Sequence, residues 1–139
     1  MIIIDAKNLI AGRLATQVAK KALHGEEIAI INADLAIIVG AKKTTLAKFK
    51  QRDDRGVPLR GPYIPKRPHF LLRRIIRGML PYKKDNGRRA FENIKCYIGV
   101  PAAFEGKETV VLETAHRDTS RVYQHLTIGQ ISKFLGGSQ

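Results

Sequence analysis

A strand, a helix and a second strand open this chain, and that order constrains the fold more than any other feature of the sequence. Residues 1–4 form a short apolar run suited to a buried strand. Residues 11–24 carry their apolar side chains at helical spacing. At 100° per residue, Ala11, Leu14, Ala15, Val18, Ala19, Ala22 and Leu23 share one side, and Arg13, Gln17, Lys20, Lys21 and His24 the other. Gly25 ends this core-facing helix. Residues 28–31 and 35–39 are β-rich runs either side of an Asn32-Ala33-Asp34 turn. Such an opening specifies an α/β domain, and 139 residues with 44% hydrophobic content suit one globular unit over residues 1–139.

After Gly40 the pattern loosens. Residues 42–52 can form a helix with Leu46 and Phe49 as its apolar contacts. Between residues 53 and 68, Gly56, Pro58, Gly61, Pro62, Pro65 and Pro68 exclude a regular element and predict an extended, irregular excursion. Arg55, Arg60, Lys66 and Arg67 lie along it with few large apolar groups, so RNA is a better candidate than the core for holding it. Residues 69–80 predict a two-faced helix. Leu71, Leu72, Ile75, Ile76 and Met79 span an arc of about 140°, and Arg73, Arg74 and Arg77 lie opposite. Phe70 falls on the arginine side, so either the helix begins after it or its ring points outward. Pro81 ends the helix. A second basic loop is expected over residues 82–89 around Asn86-Gly87, then a helical turn over 90–93 and strands over 94–100 and 109–112. Residues 116–124 are polar and define no element. Thr127 caps a last short helix with Ile128, Ile131, Phe134 and Leu135 as its stripe, ended by Gly136-Gly137.

The charge is segregated. Residues 42–95 hold 17 of the 25 Lys and Arg residues but only 4 of the 12 Asp and Glu residues, so the whole excess of +13 lies there and the rest of the chain is neutral. A surface built for solubility intersperses both signs; this one describes a neutral scaffold with a single phosphate-facing region. A polyanion is the expected partner. No run approaches the roughly 18 apolar residues of a membrane span, and Asp5 follows the apolar start without the layout of a signal peptide. A cytoplasmic location without membrane association is therefore expected. The lone Cys96 offers neither an internal disulfide nor a zinc pair, and reads as a buried strand residue.

Catalytic patterns fail on inspection. Gly40-Ala41-Lys42-Lys43-Thr44 falls between a strand and a helix, but Ala41 and Ala36 stand where a nucleotide-binding loop needs glycine, leaving a helix start suited to one RNA phosphate. Gly12 lacks the neighbouring glycines of a dinucleotide fingerprint and is expected to serve close helix packing or backbone approach. His24, His69, His116 and His125 lie on separate elements without metal-ligand spacing, and His69 can touch RNA instead. Asp5 and Asp34 read as turn residues. No cofactor, metal, small-molecule substrate or enzymatic activity is expected.

Several segments resemble the ribosomal large-subunit protein thirteen family in its archaeal and eukaryotic form. The resemblance rests on Asp5-Ala6 with Gly12-Arg13-Leu14-Ala15-Thr16, on Ile30-Ile31-Asn32-Ala33 and, most specifically, on Arg77-Gly78-Met79-Leu80-Pro81. Gly87-Arg88-Arg89 and the strand from Ile94 to Pro101 complete it. The chain lacks the His-x-x-Tyr-Pro-Gly-Gly loop of the bacterial pattern and carries instead the Pro-rich Arg60-Gly61-Pro62 to Arg67-Pro68-His69 stretch of the archaeal branch. The resemblance implies a three-layer α/β/α domain around a mainly parallel, four-stranded sheet. It also implies a non-enzymatic constituent of the large ribosomal subunit that binds large-subunit ribosomal RNA during assembly, beside neighbouring ribosomal proteins.

The RNA-binding residues expected on this basis are Arg13, Lys42, Lys43, Arg60, Lys66, Arg67, His69, Arg73, Arg74, Arg77, Lys83, Lys84, Arg88 and Arg89, with arginine favoured for bidentate phosphate contact. Tyr63, His69 and Tyr82 can stack on exposed bases or pack in the ordinary way. Two rival functions are an RNA-modifying enzyme, which requires a cofactor pocket and a catalytic group, and an RNA-binding regulator free of the ribosome.

Overall fold

The computed structural model describes residues 1–118 and 124–137. The chain runs through β1 (Ile2–Asp5), α1 (Ala11–Leu23), β2 (Ile28–Ile31), β3 (Ile37–Val39), α2 (Lys42–Asp54), α3 (Pro68–Gly78), α4 (Asp85–Glu92), β4 (Ile94–Cys96), β5 (His125–Thr127) and α5 (Ile128–Phe134). Turns of 3-10 helix lie at Ala33–Leu35, Ala102–Phe104 and Glu113–Ala115.

The architecture is α/β, with a parallel sheet in the order β1-β2-β4 and a separate antiparallel pair, β3-β5. In the parallel sheet Ile2 faces Ile28 and Ile28 faces Ile94 across successive strands. One face carries Ile4, Ile28, Ile30 and Ile94 into the main core, where they join Leu14 and Val18 of α1 and Leu72 and Ile76 of α3. Each such side chain stabilises the fold by about 1.5–3 kcal/mol relative to exposure. The opposite face, Ile3, Ala29 and Ile31, packs on Phe104 and Tyr97.

Several expectations need correction. The sheet has three strands, because residues 109–112 contribute only a parallel bridge from Val110 to Ile4. The face expected to carry a second helical layer is closed by the small Phe104–Tyr97 cluster. The third predicted strand exists but leaves the main sheet. Asn32 takes a left-handed conformation, φ 53°, and its amide donates to Asp5 Oδ1 at 2.9 Å; the 3-10 turn that follows re-aims the chain so that Ile37 pairs with Thr127. Asp5 and Asp34 do serve turns, Asp34 accepting from the Gly99 N–H at 3.4 Å.

The 82–89 loop is mostly helix. α4 starts at Asp85, whose carboxylate suits the positive end of a helix. Asn86-Gly87 signals a turn in isolation, but Gly87 sits buried against the Pro81 carbonyl, where a Cβ would overlap it. Gly12, by contrast, has nothing within 4 Å of a Cβ position and does not serve close packing. Leu23, Met79 and Phe134, assigned to apolar stripes, are substantially exposed, each lying at or near the end of its helix where the core recedes. Met79 Sδ accepts from the Thr16 hydroxyl at 3.2 Å. The capping box at Thr127 is present, with Thr127 and Gln130 exchanging side-chain to backbone hydrogen bonds. Part of the 116–124 segment lies outside the described residues.

Candidate nucleic-acid interface

Residues 42–95 fold into α2, the Pro-rich excursion, α3, α4 and β4. Lys42 and Lys43 occupy the exposed first turn of α2, which has neither a side-chain cap nor an acidic residue. Cations at the positive end of a helix dipole are unfavourable unless an anion answers them, so this end is suited to phosphate. Arg60 is exposed on a tight turn closed by the Gly61 N–H bonding to the Val57 carbonyl at 2.9 Å. Arg67 is exposed at the start of α3, and Lys83 and Lys84 are exposed before α4.

Two members of the set are partly neutralised. The Lys66 ammonium lies 3.6 Å from Asp53, and its carbonyl accepts from the Ser132 hydroxyl at 2.5 Å. Lys66 therefore ties the excursion to α2 and α5, and the protein itself supplies part of the hold expected from RNA. Arg88 pairs with Asp85 one helical turn earlier. Arg89 is exposed on α4.

The three arginines of α3 divide. Arg73 and Arg77, one turn apart, lie toward α4. The Arg73 guanidinium is 4.3 Å from the centroid of Phe91 and donates to the Phe91 carbonyl at 3.4 Å; that of Arg77 is 3.9 Å from the centroid of Tyr82. Arg74, rotated by 100°, is exposed on a different side. Phe70 is exposed, with its ring 4.1 Å from that of His69. His69 is half-buried, its Nδ1 without a hydrogen-bond partner. Burial, and secondarily the nearby Arg67 charge, lower its pKa from the ordinary histidine value, favouring the neutral ring. Arg13 stands apart from this set, donating to the Thr114 carbonyl at 3.3 Å.

Between β3 and α2 on one side and the excursion and α3 on the other lies an open groove of about 920 Å³. Lys48, Arg52, Arg55 and Arg74 line it together with apolar side chains, and no Asp or Glu does. The Arg52 guanidinium rests 5.7 Å from the Phe49 ring centroid.

A family model described as ribosomal protein L13 matches residues 1–103. The chain belongs to the ribosomal protein L13 family. It is 44% identical over 137 residues to the large ribosomal subunit protein uL13 of Methanosarcina barkeri, covering 98% of both chains. Its identity to uL13 of Methanopyrus kandleri is 43% over 136 residues, 96% of this chain and 86% of the relative. With uL13 of Natronomonas pharaonis it is 42% over 137 residues, 99% and 92% of the two chains. These archaeal relatives agree with the branch indicated by the Pro-rich stretch.

The L13 family match spans the entire three-stranded sheet and the whole cationic segment. Within this L13 chain the expected RNA residues thus fall on several surfaces: the start of α2, the excursion, the α3–α4 side, and Arg13 by itself. Lys48, Arg52 and Arg55 were not anticipated as a group. Their spacing of four and then three places them on one stripe of α2, but that helix has no clear apolar face to orient it, so the direction of the stripe was hidden.

Proposed function

We propose that the chain is a structural constituent of the large ribosomal subunit that binds large-subunit ribosomal RNA through its cationic loop-and-helix surface and supports subunit assembly. The RNA-binding set is Lys42, Lys43, Arg60, Arg67, Arg73, Arg74, Arg77, Lys83, Lys84 and Arg89, with Lys66, Arg88 and His69 in supporting places and Arg13 a peripheral member. One observation carries this reading in a chain of the L13 family: the entire excess of +13 lies in residues 42–95, and among the described residues the ion pairs there are Lys66–Asp53 and Arg88–Asp85. So much positive charge left without acidic partners calls for phosphate. The half-buried arginines on Phe91 and Tyr82 favour recognition of RNA shape and backbone over base sequence.

Neighbouring large-subunit proteins are the expected protein partners, and the role is structural and cytoplasmic, within the ribosome. Sedimentation of a cell extract tests membership: the protein should co-migrate with large subunits through a moderate salt wash, and free migration would contradict it. Binding to isolated ribosomal RNA tests the interface. If about six phosphates are neutralised, affinity falls by roughly three decades between 50 and 200 mM salt. A nearly flat response would remove the electrostatic basis of the reading.

A further inference from the structure

The groove between β3–α2 and the excursion combines two features that duplex binding does not need. Its floor is apolar, with Ile38 and Ile75 half-buried along it. At its edge stands Tyr63, 73% exposed. This ring is held in place despite its exposure: the hydroxyl donates to the Pro58 carbonyl at 2.9 Å. Its Cδ2 also packs so closely on Gly61, φ +71°, that a Cβ there would lie 3.1 Å away. The charged side chains along it are all cationic: Lys48, Arg52, Arg55 and Arg74.

We propose that this groove is a subsite for single-stranded RNA, with unpaired bases against Tyr63 and the apolar floor and their phosphates on the four-cation rim. The inference rests on the RNA-binding reading above and adds a second mode of contact to it. A cationic channel beside a fixed aromatic platform is what a single strand requires, since phosphates follow the charge and every base offers a π face. A volume of about 920 Å³ lies within the range of sites that enclose small ligands, so it has room for individual nucleotides and not for a double helix. An apolar polypeptide segment is the competing occupant. It would need acidic residues to answer the rim, whereas the RNA-binding reading above already assigns phosphate contact to Arg60 and Arg67, which flank Tyr63 in sequence.

Fluorescence titration of the full chain tests this, using a mixed-sequence single-stranded oligoribonucleotide containing 2-aminopurine and, separately, a blunt RNA duplex. Binding of the single strand should change the 2-aminopurine emission. Tyr63→Ala should weaken it about tenfold, the loss expected for one stacked base. Val39→Glu, placing a carboxylate on an exposed groove residue, should weaken it at least as much. Lys48→Glu, on the exposed surface of α2, provides a variant that leaves the core intact. Duplex affinity should stay within about twofold for Tyr63→Ala, which removes no charge. If folded Tyr63→Ala and Val39→Glu proteins bind the single strand as the parent does, the groove inference is overturned while the RNA-binding reading stands. If the parent binds neither RNA, both fall. Preferential binding of an acidic Glu/Leu peptide, lost in the same variants, would overturn the inference in favour of a protein partner.

Discussion

The Arg77 guanidinium stacks on the Tyr82 ring, 3.9 Å from its centroid. Tyr82 meets Phe91 edge-on at 5.6 Å, and Arg73 covers Phe91 at 4.3 Å. The four side chains form a ladder joining α3 to α4. A guanidinium held by its face keeps N–H groups on its edges for other acceptors, so packing and phosphate binding are compatible in one residue.

Removing a rung should therefore loosen the helix pair. Tyr82→Leu is expected to lower stability by about 1 kcal/mol, as both the cation–π contact and the aromatic pair are lost. Tyr82→Phe keeps both and should remain near the parent. Urea denaturation followed by circular dichroism distinguishes them; equal midpoints for Leu and the parent would show that the ladder adds nothing.

Arg73 and Arg74 are adjacent in sequence but differ in environment, and their alanine variants should separate stability from binding. Arg74→Ala should change stability by less than about 0.5 kcal/mol and reduce the salt slope of RNA binding by about one. Arg73→Ala should cost about 1–2 kcal/mol of stability, because it strips the half-buried contact with Phe91. Paired denaturation and salt-titration curves check both, and interchanged effects would mean the two side chains have exchanged roles.

Gly87 and Gly12 give a second contrast. Gly87→Ala forces a methyl group into the Pro81 carbonyl and should destabilise by about 1–3 kcal/mol. Gly12→Ala meets open space inside α1 and should stabilise by about 0.5–1 kcal/mol through helix propensity. Thermal melts of the two variants should shift in opposite directions.

The same pair explains where sequence patterns served and where they did not. The core faces of α1 and α3 were legible because their apolar residues recur at helical spacing, and Leu14, Val18, Leu72 and Ile76 are all buried. The early start of α4 was hidden because Asn-Gly is a local turn signal, overridden by a tertiary contact with Pro81 that no window of sequence contains. The transfer of β3 to β5 had the same origin, depending on pairing with residues about ninety positions away. Charge placed the candidate interface on residues 42–95, but charge has no direction. Only the packed aromatics distinguish Arg73 and Arg77 from Arg74, and only the fold brings Lys48, Arg52 and Arg55 across from Arg74.

Cys96 ties the core to pH. It lies buried on β4, and burial pushes its thiol up to about 12, against a smaller opposing effect of the Arg73 charge. An unfolded cysteine titrates at about 8.5, so the folded value is the higher one. Its contribution to stability is complete below about pH 8.5 and is lost as pH rises toward 12, since the unfolded chain gains by releasing the proton and the folded chain does not. The loss should reach about 2 kcal/mol near pH 10, and Cys96→Ala should lack this component of the alkaline decline. Native protein at about pH 8 should react with a thiol reagent only as fast as it opens, whereas protein in denaturant should react at once. Immediate labelling of the native state would contradict the burial of Cys96 and with it the packing of β4 beneath α3.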